Sequence, residues 1–155
     1  MRLSAPEEYG LRCLVQVTRL SGDEPARVNA IAQAEGLTPE YTAKLMRLLR
    51  QKGLVLSVRG AGGGYRLTRP AEEISVWEAM IALDSPTMGS GFCKGPNSGC
   101  IHADEDCSLR AMWAHIGSTL QQVLKVVSIA DLARSGKHMT EHFAAVRTSG
   151  LEISP

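Results

Sequence analysis

Apolar residues along the first twenty positions recur at three- and four-residue steps. Tyr9, Cys13, Val17 and Leu20, with Leu14 alongside, fall on one face of a helix running to about Leu20. Ser4 and Glu7 stand three apart ahead of it as a capping box, and Pro6 is tolerated in a first turn. Ser21, Gly22 and Asp23 end the pattern. A shorter helix from about Val28 to Glu35 turns Val28, Ile31 and Ala32 inward before Gly36 breaks it. Thr38 caps a third helix reaching about Lys52, with Pro39 at its first position and Leu45, Leu48 and Leu49 as the buried stripe. After Gly53 the period changes from helical to alternating. Leu54, Leu56 and Val58 are expected on one strand face, followed by the glycine-rich stretch Arg59 to Gly64 and a second strand from Tyr65 to Thr68.

The second half begins with a helix near Ser75 whose apolar positions are Val76, Ala79, Met80 and Leu83. Trp77 and Trp113 read as core or interface aromatics. Beyond Pro86 periodicity dissolves into a loop of about twenty residues, a length that tends to be functional. A long helix from about Cys107 to Ser128 follows. Its stripe of Leu109, Met112, Trp113, Ile116, Leu120, Val123, Leu124 and Val127 is broad enough to suggest a partner helix. Ser128 caps a short helix that folds back, and residues 137–155 carry weak patterning expected of a frayed tail. His138 and His142 would share a face only if that tail were helical.

The predicted class is mainly α with a small β-hairpin. Helix, helix–turn–helix and hairpin in that order describe a winged helix–turn–helix, whose second paired helix enters the DNA major groove. The expected division is a winged DNA-binding region over 1–70, a connecting helix over 71–87 and a cysteine loop over 88–107. A dimerisation helix with its closing short helix fills 108–135, and a weakly ordered tail 136–155. Because such proteins commonly pair to match two half-sites, a two-fold dimer through the long helix on a palindromic operator is expected.

Net charge is only +1, yet it is unevenly spread. Residues 1–70 hold 11 Lys and Arg against 6 Asp and Glu, whereas 71–155 hold 6 against 10. A basic first half suits a polyanion partner. Glu40, Tyr41, Lys44 and Arg47 lie off the leucine stripe of the third helix, and Arg59 and Arg66 flank the wing tip. Arginine can neutralise phosphate or read base edges, and Glu can accept from cytosine. The glycine tip is not a nucleotide loop, because it lies within a hairpin and no Gly-Lys-Ser/Thr follows. No apolar run approaches the roughly 20 residues of a membrane span, and the first residues lack the apolar core of a signal peptide. Cytoplasmic localisation without membrane association is therefore expected. No catalytic constellation appears, so the chain is read as a non-enzyme.

Four cysteines in a reducing compartment are poor candidates for structural disulfides. Cys13 sits on the apolar face of the first helix, where cysteine behaves as a small hydrophobe. Cys93, Cys100 and Cys107 are separated by six residues each. That spacing matches neither zinc ribbons nor bacterial ferredoxins, but three soft thiolates in a glycine-rich loop can wrap one metal centre. Zinc with His102 as fourth ligand satisfies the same donors as an iron–sulfur cluster, and the spacing does not choose between them.

The opening MRLS, the segment GLTPEYTAKLMRLLRQKGLVLSVRGAGGGYRLTRPAEEISVWEAM, the cysteine triplet and SIADLA together resemble the Rrf2 family of winged-helix regulators, of the IscR, NsrR and RirA type. The similarity spans roughly residues 1–133. It implies a homodimer with crossed long helices, and a 4Fe–4S cluster (favoured) or a 2Fe–2S cluster on Cys93, Cys100 and Cys107. It also implies DNA contacts at Thr38, Glu40, Tyr41, Ala43, Lys44 and the wing Arg59. In IscR-like members a histidine stands three residues after the last cysteine, but this chain has Arg110 there, which cannot bind iron. NsrR-like members use a carboxylate near the start of the first helix, donated across the dimer, and Glu8 holds that place. Glu8 is thus the leading fourth ligand and His102 the runner-up. The implied function is a DNA-binding regulator, chiefly a repressor, responding to nitric oxide, iron supply or redox stress. A small iron–sulfur electron carrier, or a regulator with zinc at that site, is the alternative, although an electron carrier needs no winged helix.

Overall fold

The computed structural model describes residues 3–22, 24–60, 62–83 and 107–148. Helix α1 (Ala5–Leu20) opens on Ser4, whose side chain accepts from the Glu7 N–H while the Glu7 carboxylate accepts from the Ser4 N–H. The capping box is present as its spacing implies. Glu7 itself is buried, as are Cys13, Leu14 and Val17, whereas Leu20 is exposed. Burial pushes the Cys13 thiol up to about 12, with the Glu35 charge acting in the same direction.

Helix α2 (Val28–Glu35) ends on Gly36 in the left-handed conformation (φ 65°), and Thr38 caps α3 (Pro39–Gln51) by accepting from the Tyr41 N–H at 3.2 Å. The inward face of α3 is Thr42, Leu45, Met46 and Leu49. Met46 has no exposure at all, and Leu48, expected inside, is only half-buried.

The hairpin pairs β1 (Val55–Val58) antiparallel with β2 (Gly64–Leu67). Its phase differs from the expected one. Leu54 and Val55 are buried while Leu56 is exposed, because Leu54 precedes the strand and the alternation starts at Val55. Tyr65 exchanges backbone hydrogen bonds with Ala26 at 2.9 and 2.8 Å, so the segment before α2 lies along β2. Gly64 permits this approach, since a Cβ there would sit 2.5 Å from the Ala26 carbonyl oxygen.

A 3-10 turn (Ala71–Glu73) leads into α4 (Val76–Ala82), capped by a reciprocal Ser75/Glu78 box. That box and the Arg69 guanidinium hold the Glu78 carboxyl below the usual range, the Ser75 backbone N–H contributing most among the lowering influences. Helix α5 (Ser108–Val126) contains no fully buried residue. Leu120 and Leu124 in its later half pack partly on the core, while Leu109, Met112 and Ile116 in its first half are 58, 46 and 39% exposed. The chain then returns to the core. Val127 accepts from the Val76 N–H and Ile129 donates to the Ile74 carbonyl, both at 2.8 Å. Helix α6 (Ile129–Ala133), with its own Ser128/Asp131 capping box, packs against α1 and the 3-10 turn. The closing helix thus joins the N-terminal core rather than standing apart with α5.

The reading of 136–155 as a weakly ordered tail is corrected in its first part. Gly136–Thr148 forms helix α7, which packs against α6. Residues 149–155 lie outside the described residues. The sequence hid α7 because it has neither a broad apolar stripe nor an acidic first turn.

Met46→Ala should destabilise the fold by about 2–5 kcal/mol and Leu48→Ala by clearly less, read from urea midpoints. In the folded protein Cys13 should resist iodoacetamide at pH 8 while unfolded chains react, as peptide mapping would detect. Because its folded pKa lies above the unfolded value near 8.5, stability attributable to the neutral thiol should fall as pH rises from about 9 toward 12.

Candidate nucleic-acid interface and cysteine site

Helix α3 presents Glu40, Lys44 and Arg47 four and three residues apart on its exposed side, opposite the Thr42, Leu45, Met46 and Leu49 face. Thr38 is exposed at the N-cap, its hydroxyl engaged with the Tyr41 N–H, and Ala43 is half-buried. Tyr41 is less available than its position suggests. It packs against the core and meets Tyr9 edge-on, with ring centroids 6.2 Å apart and planes at 81°.

At the wing, Arg59 is exposed beside the tight turn closed by the Gly63 N–H donating to the Gly60 carbonyl at 2.9 Å. Arg66 is half-buried instead, and its guanidinium donates to the Gly22 carbonyl at 3.1 Å. It braces the wing against the end of α1. Of the candidate DNA contacts, the cations exposed to a polyanion are therefore Lys44, Arg47 and Arg59, spread over helix and wing.

Among the cysteine-site candidates, Cys107 is described. It is a free, half-buried cysteine at the N-cap of α5. The orphan N–H groups and partial positive charge of a helix start favour an anionic ligand set there. Cys93, Cys100 and His102 lie outside the described residues. Arg110 is half-buried in the first turn of α5. Glu8 is half-exposed on α1 and pairs with Arg12 at 3.4 Å, while Arg12 also binds Glu35 of α2.

The periodicity gave no sign of one connection. The Arg12 guanidinium lies 5.5 Å from the centre of the Tyr9 ring, and Tyr9 touches Tyr41 of α3. Glu8, Arg12, Tyr9 and Tyr41 form a continuous line from the first turns of α1 to the exposed helix. A cavity of about 600 Å³ lies beside that line, between Ser4 and Pro6 on one side and Lys44, Arg47 and Leu48 on the other.

Comparison with known proteins identifies the family. Residues 3–135 match the family model described as Rrf2, iron-dependent transcriptional regulator. The rrf2 protein of Nitratidesulfovibrio vulgaris is 31% identical over 134 residues, covering 86% of this chain and 88% of the relative. The transcriptional regulator IscR of Photorhabdus laumondii is 32% identical over 135 residues, covering 87 and 80%. The solved structure of CymR, the global cysteine regulator of B. subtilis, superimposes with a TM-score of 0.71 at 28% identity, covering 86% of this chain and 96% of that one. The relatives are transcription regulators and not enzymes. Among the described residues no helix is long and apolar enough to cross a membrane.

Lys44→Ala should weaken duplex binding evenly across sequences and lower the salt slope by about one, as expected for a phosphate contact. Arg66→Ala should leave that slope unchanged, since Gly22 already holds its guanidinium. Anisotropy titrations at several salt concentrations separate the two outcomes.

Proposed function

The chain belongs to the Rrf2 family of DNA-binding transcriptional regulators, and from that premise we propose that it is an iron–sulfur-dependent regulator, chiefly a repressor, that binds a palindromic operator as a homodimer. The carrying observation is the position of Cys107. This residue stands at the N-cap position of α5, whose first half exposes Leu109, Met112 and Ile116 along one face. Packing that face against the same helix of a second copy removes an exposed apolar stripe from water and sets two winged helices at a fixed spacing.

Cys93, Cys100 and Cys107 would hold the cluster, with the partner subunit's Glu8 as fourth ligand. Cys107 suits a thiolate-rich site, and Arg110 supplies positive charge in the same helical turn. When bound, a 4Fe–4S cluster with one carboxylate ligand offers an exchangeable iron vertex open to nitric oxide or oxidants. The protein's own residues carry the response. Glu8 pairs with Arg12 and would leave it to serve as a ligand, while Arg12 retains Glu35 as an alternative partner. A change at Glu8 therefore reaches Tyr9 and Tyr41, and through them the helix bearing Lys44 and Arg47.

Anaerobically purified protein should contain iron and sulfide and show cluster absorption and Mössbauer signals, and nitric oxide should change its affinity for operator duplex. A colourless protein with stoichiometric zinc would overturn the cluster assignment, and a lack of sequence-specific duplex binding in both apo and loaded forms would overturn the regulator. Glu8→Ala should destabilise the cluster, whereas Tyr9→Leu should keep it while blunting the DNA response. Unchanged cluster stability and response in Glu8→Ala would remove Glu8 as a ligand.

A further inference from the structure

Helix α7 places His138 and His142 one turn apart, and both face Asp131 of α6. Three ligand atoms, one from each residue, lie within 4.8 Å of one another. The Asp131 carboxylate divides its work. Oδ2 accepts from the Ser128 N–H at 3.0 Å and from the Ser128 hydroxyl at 2.6 Å, while Oδ1 stands 3.2 Å from His138 Nε2.

His138 Nε2 also lies 3.2 Å from Arg134 Nη1. One ring nitrogen cannot serve both neighbours. If Nε2 carries a proton it can donate to Asp131, but it then opposes the arginine N–H. If Nε2 is bare it can accept from Arg134, but its lone pair then opposes the carboxylate oxygen. Across the cluster, His142 Nε2 is buried and has no hydrogen-bond partner among the described residues. An unpartnered buried nitrogen is unfavourable, and here it belongs to an imidazole that is grouped with the Asp131 carboxylate and the His138 ring.

We propose that Asp131, His138 and His142 bind a divalent transition cation of the zinc class, separate from the cysteine site. Two neutral imidazoles and one carboxylate are a familiar borderline-soft donor set, and histidines at i and i+4 are the spacing with which a helix offers two ligands to one metal. Bonds of roughly 2.0–2.2 Å in a tetrahedron separate ligand atoms by roughly 3.4 Å. Rotamer adjustment of the two imidazoles closes the observed spread to that value. The cation satisfies His142 Nε2, relieves the conflict at His138 and leaves the fourth position to water. Arg134 is exposed, so its guanidinium swings into solvent on binding. Oδ2 remains on Ser128, and its N-cap serves as the outer shell orienting the ligand.

The site would staple α7 to α6, and α6 to α1 through the Arg19 Nε–H donating to the Ala133 carbonyl at 3.2 Å. A metal at this position ties the C-terminal helix to the DNA-binding core.

Cobalt(II) titration of the full chain, purified anaerobically with its cysteines intact, is the test. Apart from any cobalt held by cysteine thiolates, it should reveal one equivalent per chain whose ligand-field absorption carries no thiolate charge-transfer band. His138→Gln and His142→Gln, which leave the Ser128/Asp131 cap in place, should each weaken that equivalent by roughly tenfold or more, since losing even a group that only orients a metal ligand costs roughly 10–100-fold. Cobalt absorption that is entirely thiolate in character, or affinity unchanged in both variants, would overturn the site. Diethylpyrocarbonate labelling of the unsubstituted chain reads the same question without mutation. Zinc(II) should protect His138 and His142 and magnesium should not, whereas equal labelling with and without zinc defeats the proposal.

Discussion

One face of α1 organises the molecule. Cys13, Leu14 and Val17 are fully buried, and α2, α3, α4, α6 and β2 all pack against this helix. The chain must therefore return to α1 after the long excursion of α5, and it does so through the paired backbone hydrogen bonds of Ile74 and Val76 with Ile129 and Val127. A DNA-binding body that looks complete by residue 70 is closed by a segment nearly sixty residues further on. The apolar character of Val127, Ile129 and Ala130 follows from that closure, each being buried against residues of the N-terminal region.

Helices announced themselves where a cap and a stripe coincide. Ser4/Glu7, Ser75/Glu78 and Ser128/Asp131 each mark a helix start, and each forms the reciprocal box in the structure. The hairpin was legible in position and not in phase. A four-residue strand offers two alternations, so one residue of uncertainty at its start exchanges Val55 for Leu56 on the buried side. Helix α7 had no such marks. Its contacts run through Met139 and the histidines to α6, and polar contacts between elements leave no periodic trace.

The candidate DNA contacts were partly legible for the same reason. Lys44, Arg47 and Arg59 lie off the stripes and are exposed, so a pattern that separates inside from outside finds them. It cannot tell an exposed cation from one already occupied, and Arg66 proves to be bound to Gly22. Nor can it foresee that Tyr41 leans on Tyr9, which makes the tyrosine a link to α1 as well as a surface group. The cysteine spacing left zinc and iron–sulfur chemistry equally open, and family membership rather than spacing is what favours the cluster.

Two features of α5 and α7 bear on how a signal could reach DNA. Helix α5 meets the core through Leu120 and Leu124 in its later half, while Leu109, Met112 and Ile116 in its first half, on the Cys107 side, are exposed. Any ligand gathered at Cys107 would thus act on one end of a lever about 28 Å long, from 1.5 Å per residue over 19 residues, opposite the end that meets the core. The other end of that lever passes through Val127 into the core and continues as α6. Asp131 sits on α6 within reach of α7, so the proposed cation would stiffen the fulcrum. A rigid fulcrum would transmit a displacement of the Cys107 end into α1, whereas a loose one would absorb it in the short α6 segment. On the proposed reading the cysteine site would supply the signal, and the histidine pair would set how much of it the winged helix receives.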